Sequence, residues 1–141
     1  PTWQPPCVDP REGELAAKYP PVYIQYHDRL NVHTQHILNP ALEVVQDEPL
    51  LQMNPVDAEA RGIAHGDVVR VLNARGEMKI RAFLTEGIIQ GTVATQSGWT
   101  PDYFIEGCYQ TLTHHTICDA EDAYSMTNSA FYDVLVEVEK A

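Results

Sequence analysis

Apolar and charged positions alternate most clearly in the middle of the chain. Met78, Ile80 and Ala82 are separated by charged residues, which is the two-residue period of a strand with one buried face. A Val-rich run at 68–72 precedes them, and the turn sequence Asn-Ala-Arg-Gly separates the two runs. The pattern therefore predicts a β-hairpin formed by this run and residues 77–84.

The same pattern of four residues occurs twice along the chain at one fixed offset. Repetition at a fixed spacing indicates one supersecondary unit built twice. In each copy, glycines that permit a positive φ lead into a valine run suited to a strand. The matched positions are Gly62, Ile63, Gly66 and Val68 in the first copy and Gly87, Ile88, Gly91 and Val93 in the second.

Three more strands are predicted outside the hairpin and the repeat. Residues 22–26 and 50–53 are short apolar runs, each preceded by proline at the strand entrance. Near the C-terminus, three valines alternate with other residues over 131–139. Together with the hairpin and the second repeat copy, these runs give six strands.

Two short helices are predicted from their start signals. In each, an Asn that can cap the helix precedes a Pro that fits the first helical position. The first helix is expected at Ala41–Gln46 and cannot continue through Pro49. The second follows Asn54, with Asp57 placed as a capping-box residue and Gly62 as the C-terminal cap.

Three segments lack a regular pattern. Residues 1–18 contain four prolines and are expected to form an N-terminal arm or linker ahead of a single domain at 19–141. Residues 27–36 form a polar loop dense in hydrogen-bond donors. The stretch Ser97–Asn128 is rich in Gly, His and aromatic residues, and its length indicates a binding loop.

Composition and charge mainly exclude certain classes of binding partner. The length of 141 residues fits one domain, and the net charge of −11 argues against nucleic acid or an anionic membrane as a partner. No segment has the length of a membrane span or the form of a signal peptide, so we expect no membrane insertion. The compartment stays open between cytoplasm and cell envelope. The chain begins without Met, as a piece of a longer protein would.

Neither cysteines nor histidines form a metal motif. Cys7, Cys108 and Cys118 are odd in number and form no C-x-x-C pair, so we expect thiols rather than a disulfide framework or an iron–sulfur site. His33 and His36 have H-x-x-H spacing but no further ligands nearby, so no metal site is predicted. No catalytic residue is predicted either.

The order of the motifs resembles one enzyme family. The chain contains Asn-Pro-Val-Asp-Ala at 54–58, Arg-Gly-Ile at 61–63, Gly-Asp at 66–67, Asn-Ala-Arg-Gly at 73–76 and Gly-Trp at 98–99. This series is similar to the C-terminal cofactor-binding domain of the molybdopterin oxidoreductases, the dimethyl sulfoxide reductase family, over nearly the whole chain. The resemblance implies a mainly β fold, a six-stranded double-psi β-barrel with a few short helices.

The resemblance also implies a cofactor and a site. In that family the domain binds molybdopterin guanine dinucleotide, chiefly through the loop after the first strand, while molybdenum or tungsten is held mainly by other domains of a larger oxidoreductase. Donors in the loop suit a pyrophosphate. The cofactor-binding residues implied here are Gln25, Tyr26, His27, Asp28, Arg29, His33, Thr34, Gln35, Trp99, His115 and Thr116.

Two departures from the family pattern affect this site. Residues 25–27 read Gln-Tyr-His where many relatives have Thr-Gly-Arg, so the approach of the loop backbone to the cofactor differs. Thr116 stands where many relatives have an Asn, and a hydroxyl fixes one edge of a pterin amide rather than two. Trp99 is also compatible with a position in the core.

Alternative functions remain open. One is a protein- or peptide-binding double-psi barrel, which predicts an exposed apolar groove and no nucleotide affinity. Another is a free-standing pterin-binding subunit, as in formylmethanofuran dehydrogenases. A barrel enzyme resembling aspartate decarboxylases has no support, because Ser97-Gly98 is in the reverse order of the Gly-Ser self-processing site.

Overall fold

The computed structural model describes residues 11–114 and 134–141. Their fold is mainly β, with a few short helices, as predicted. The helices are α1 (Glu14–Lys18), α2 (Pro40–Glu43) and α3 (Pro55–Glu59), and 3-10 turns lie at Pro101–Tyr103 and Tyr109–Leu112. The strands are β1 (Val22–Tyr26), β2 (Leu50–Met53), β3 (Val68–Leu72), β4 (Glu77–Leu84), β5 (Thr92–Gln96) and β6 (Glu137–Lys140).

The six strands form one open, mixed sheet in the order β1-β5-β2-β4-β3-β6. The pairs β1–β5 and β2–β4 are parallel, whereas β2–β5, β3–β4 and β3–β6 are antiparallel. The β3–β4 pair is the predicted hairpin. Since Tyr26 is paired with Gln96 at the ends of two parallel strands, the segments that follow β1 and β5 leave the sheet side by side.

The C-terminal segment forms hydrogen bonds with both β3 and β1, which lie toward opposite edges of the sheet. β6 pairs with β3, while the amide of Tyr23 in β1 donates to the carbonyl of Val134 at 2.8 Å. Val134, Val136 and Val138 are buried, as their alternation predicts. Of the predicted strand at 131–139, residues 134–136 are not regular strand, which runs over Glu137–Lys140, and residues 131–133 lie outside the described part.

The core is built from the buried face of each strand. Alternate residues of β3 and β4 point inward, and α3 contributes Ala58, because the two-residue period places every second side chain on one face. The largest fully buried side chains are Tyr23, Leu51, Met53, Met78, Ile80, Leu112, Val69, Val71, Val93, Val134, Val136 and Val138.

Both capped helices form, but two details of the predictions were wrong. Helix α2 begins after Asn39 as expected but ends at Glu43, short of Gln46. Two β-branched valines follow, and no α2 residue is buried, so packing does not extend the helix. In α3, Asn54 caps the backbone, whereas Asp57 accepts a hydrogen bond from the distant amide of Gly91 instead of completing a capping box.

Glycines of the repeat adopt the left-handed backbone conformation, and the irregular segments contain short helical pieces. Gly66 and Gly91, at matched positions of the repeat, both have positive φ (85° and 75°), and Gly62, with φ 66°, lies in the turn after Ala60, the C-cap of α3. Part of the expected arm, Glu14–Lys18, is helical. The part of the long stretch up to residue 114 contains the two 3-10 turns, and the rest of it lies outside the described residues.

Candidate functional site

The polar loop at residues 27–36 begins where β1 ends. Its first turn lies beside the segment that follows β5, because the amide of Ser97 donates to the carbonyl of Tyr26 at 2.9 Å. The loop is therefore attached to the sheet at its entrance and projects from the edge where β1 and β5 end. Gln25, still within β1, is half-buried and paired with Thr95.

Most of the predicted donors in this loop are exposed. The Arg29 guanidinium makes no hydrogen bond or ion pair with any other described residue, so its donors are free for a ligand. The rings of His27 and His33 meet edge to face with centroids 4.9 Å apart. Exposed, uncommitted donors of this kind suit a phosphate group. The exposed loop residues predicted for the site are His27, Arg29, His33, Thr34 and Gln35.

Asp28 differs from its neighbours because it turns toward the protein. Its Oδ1 accepts from the amide of Leu30 at 3.0 Å, and its Oδ2 accepts from Nε2 of Gln96 at 2.6 Å. A carboxylate is an acceptor only and repels phosphate. Asp28 therefore contributes to the site by holding the loop.

Gln96 was missed by the sequence analysis. It is buried at the end of β5, and its Oε1 accepts from the indole nitrogen of Trp99 at 3.3 Å and from Nε2 of Gln46. One signal was available: it is an amide at the end of a strand in which every residue is buried. Buried amides of this kind need specific partners.

Trp99 lies in the core beneath the loop. Only 4% of it is exposed, and its ring packs edge to face against Tyr103 with centroids 5.0 Å apart. The position fits the core alternative that the sequence left open. Trp99 supports the loop indirectly, through its bond to Gln96.

The glycine of the Gly-Trp motif has a steric reason to be there. Gly98 has φ 102°, and a Cβ at this position would collide with the backbone oxygen of His33. His33 itself has φ 53°, an uncommon conformation for a residue with a side chain. The loop thus packs directly on the backbone at Gly98, an approach only glycine permits.

Tyr26 is held neutral beside the loop. Its hydroxyl accepts from Nε2 of Gln52 at 2.8 Å. Burial and, second, the negative charge of Asp28 raise the pKa of Tyr26 to about 12, while the bond from Gln52 acts in the opposite direction. The phenol is therefore a neutral polar group at the floor of a groove of about 210 Å³, lined by Tyr26, Val45, Gln46, Leu50, Gln52, Phe83 and Gln96.

The described residues show neither a metal site nor a membrane-spanning helix. They contain no cluster of three or more His, Cys, Asp or Glu side chains arranged for a metal ion. Cys108 is a free thiol there. No helix in this part of the chain has the length and apolar character required to cross a bilayer. His115 and Thr116, two predicted site residues, lie outside the described part, as do Cys7 and Cys118.

A family model described as "Molydopterin dinucleotide binding domain" matches residues 22–131, which include every strand except β6 and the whole of loop 27–36. The chain belongs to this family. It is a molybdopterin dinucleotide-binding domain homologous to a region of the dimethyl sulfoxide reductase family of molybdoenzymes.

Named relatives agree with this assignment. The chain is 39% identical over 126 residues, 89% of its length, to a protein of Halobacterium salinarum named as the catalytic subunit of a dimethyl sulfoxide reductase. It is 38% identical over 103 residues to the dimethyl sulfoxide/trimethylamine N-oxide reductase of Cereibacter sphaeroides, covering 70% of the chain. These matches cover 14% and 12% of the relatives, so the domain spans about a seventh of their length or less.

The fold has a counterpart among solved structures. Acetylene hydratase from Pelobacter acetylenicus superposes with a TM-score of 0.78 over 100% of this chain and 21% of its own, at 16% sequence identity. At that identity the likeness concerns the fold. The β-rich sheet of this domain therefore has the architecture of a region within a much larger protein.

Proposed function

We propose that this domain binds the guanine form of molybdopterin dinucleotide through loop 27–36, as one domain of a larger molybdenum or tungsten oxidoreductase. The observation that carries the proposal is the exposed loop with uncommitted donors, foremost Arg29. When bound, the metal–pterin group supplies two-electron or oxygen-atom transfer. The residues of this chain hold and orient it.

The donor set of the loop fits the anionic part of such a cofactor. A pyrophosphate needs several fixed donors, and Arg29, His33, Thr34 and Gln35 are exposed side chains of one loop. The net charge of −11 cannot attract an anion, so binding depends on these local donors. His27 adds a further donor near His33.

We assign the other predicted residues by their surroundings. Gln25, Tyr26 and Asp28 form the base of the loop, and Trp99 supports it from the core. His115 and Thr116 are proposed as further contacts with the pterin, on the family resemblance alone. None of these residues is assigned a catalytic role, and the metal ligand is expected in another domain.

We further propose that the sheet is a double-psi barrel within a domain at 19–141, with 1–18 as an arm that leads to it. Two backbone bonds support closure of the barrel: Tyr23 donates to Val134, and Val136 donates to Pro21, at 2.8 and 3.0 Å. These bonds lie at the free side of β1, while β6 continues onto β3. The repeated glycine turns support the pseudo-twofold relation of such barrels.

The rest of the parent enzyme is proposed to cover the apolar surface next to the loop. Leu38, Val44 and Val45 are 79%, 88% and 70% exposed, and they follow loop 27–36 in the chain. Large apolar side chains exposed together mark an interaction surface. A contact here would place other domains against the same loop that holds the cofactor. The free-standing subunit alternative predicts the same loop with a separate chain on this surface.

The protein-binding alternative also has one supporting observation. The groove beside Tyr26 includes the exposed apolar side chains Val45 and Phe83. It also includes three glutamines, and their amides favour a polar ligand over an apolar peptide side chain. This alternative predicts no affinity for nucleotides.

The proposal is tested by calorimetric titration of the 141-residue chain with GDP, which carries the pyrophosphate and guanosine of the cofactor. We expect Arg29→Gln to weaken binding about tenfold, because a charge-assisted hydrogen bond is lost. Arg75→Gln is the matched control, since Arg75 is also exposed and lies in the β3–β4 turn. Equal effects of the two substitutions, or no binding by the unmodified chain, would contradict the proposal.

A further inference from the structure

Gln96 connects three separate segments through one buried amide. Its nitrogen donates to Asp28 in the loop, and its oxygen accepts from Trp99 in the core and from Gln46 after α2. Only 8% of Gln96 is exposed. Trp99 is buried as well, so its indole N–H depends on Gln96 for a hydrogen bond, whereas Asp28 and Gln46 are half-buried and are linked to the core by this amide.

We propose that Gln96 is a positioning residue that sets the conformation in which loop 27–36 presents its donors. Asp28 immediately precedes Arg29, and its second oxygen accepts from the amide of Leu30, immediately after Arg29. Fixing the Asp28 carboxylate therefore fixes the backbone on both sides of the Arg29 side chain. The ligand named for the loop rests on the proposed function, whereas the positioning role rests on the contacts of Gln96.

The requirement is for an uncharged amide. One end of the side chain must donate to a carboxylate, and the other must accept from an indole N–H, which Gln does in one group. An apolar residue would leave both partners without these bonds, and buried unpaired polar groups are costly. A Glu would bring a second carboxylate within hydrogen-bond distance of Asp28.

A charged substitution converts this requirement into a pH dependence. Among the described residues that bond to or pair with residue 96, the titratable ones are Asp28, which faces its amide, and Tyr26, its partner in the β1–β5 ladder, while Trp99 and Gln46 are uncharged. In Gln96→Glu the two carboxylates repel at neutral pH. On acidification they share one proton and the bond reforms, with an apparent pKa for the pair above about 4.3, the ordinary value for Glu.

The test follows the amide signal of Leu30 and the indole N–H signal of Trp99 by NMR, in the 141-residue chain without ligand. At pH 7, we expect Gln96→Glu to shift both signals and acidification to return them. The double variant Asp28→Asn/Gln96→Glu should restore both signals at pH 7. The new amide in the loop can then donate to the new carboxylate in β5. Gln90→Glu, the same charge change at an exposed position, should shift neither.

Unshifted Leu30 and Trp99 signals in Gln96→Glu, or no restoration in the double variant, would overturn the positioning role. If Gln96→Glu does not fold, Gln96→Met removes all three hydrogen bonds of this side chain without adding a charge and must still shift Leu30. GDP binding separates this inference from the proposed function. We expect about tenfold weaker binding in Gln96→Glu at pH 7 and recovery in the double variant. If the two NMR signals shift as expected but the unmodified chain does not bind GDP, the proposed function is refuted and the positioning role of Gln96 stands.

Discussion

The backbone oxygen of His33 lies against the α-carbon of Gly98, in the space that any side chain at residue 98 would occupy. This contact joins the exposed loop to the segment that leaves β5. It also explains why glycine precedes the buried Trp99. The loop therefore depends on a backbone contact as well as on the Asp28–Gln96 hydrogen bond.

Gly98→Ala is predicted to displace the loop. The new Cβ would meet the His33 backbone, and the φ of 102° is itself unfavourable for alanine, so we expect a loss of about 2–3 kcal/mol in the free energy of unfolding and weaker GDP binding. Gly66→Ala is the control: φ is 85°, but no atom lies within 4 Å of the added Cβ. It should cost about 1–2 kcal/mol and leave GDP binding unchanged. Equal GDP affinity in both variants would show that the His33 contact is unimportant.

Tyr26 is predicted to report on the position of Asp28. The pKa of Tyr26 is raised to about 12 by burial and, second, by the Asp28 carboxylate, so Asp28→Asn should lower that pKa. The raised value means that burial favours the neutral phenol. This contribution to stability is present below pH 10 and is lost as the pH rises through 12. Carbon-13 NMR of labelled tyrosines measures the pKa. No change in Asp28→Asn would mean that the loop holds this carboxylate elsewhere in solution.

Lys140 is predicted to control the titration of Asp67. The pKa of Asp67 is lowered, first by the hydrogen bond from Lys140 at 2.8 Å and then by the bond from the amide of Ala64. A lowered pKa stabilises the fold above the ordinary Asp value and loses that effect as the pH falls through the lowered value. Lys140→Met should therefore raise the pKa of Asp67, measured by NMR of its carboxyl carbon. An unchanged pKa would mean that β6 does not hold Lys140 beside the Gly-Asp turn.

Asp57 is predicted to stabilise the domain through the second repeat copy. Its Oδ2 accepts from the amide of Gly91 at 2.7 Å, so Asp57→Ala should cost about 1–2 kcal/mol in the free energy of unfolding, because the amide loses its partner. Asp57→Asn keeps an acceptor oxygen and should cost less. Denaturant unfolding of the two variants decides between this role and helix capping. Equal losses would contradict the Gly91 contact.

The strands were predictable because their signals are local. For β1, β2, β3 and β4 the predicted and observed bounds are the same, since alternation and apolar runs report directly on which face is buried. The caps of α2 and α3 were also found, because Asn-Pro acts within one turn.

The missed features depend on contacts between distant parts of the chain. Asp57 occupies a position where a local rule predicts a capping box, yet its partner is 34 residues away. Gln96 and Asp28 are 68 residues apart, so no local pattern could indicate that an amide at the end of β5 holds the loop. The candidate loop itself came from its donors and from the family resemblance, and its exposure is a property of the folded chain.

The most direct test of the central claim is an NMR map of the 141-residue chain titrated with GDP. The account predicts saturable amide shifts concentrated at residues 25–36 and 97–99, with the largest changes near Arg29. Shifts that centre on the exposed valines after α2 or on the β3–β4 turn, or none at all, would contradict binding of the dinucleotide by this loop.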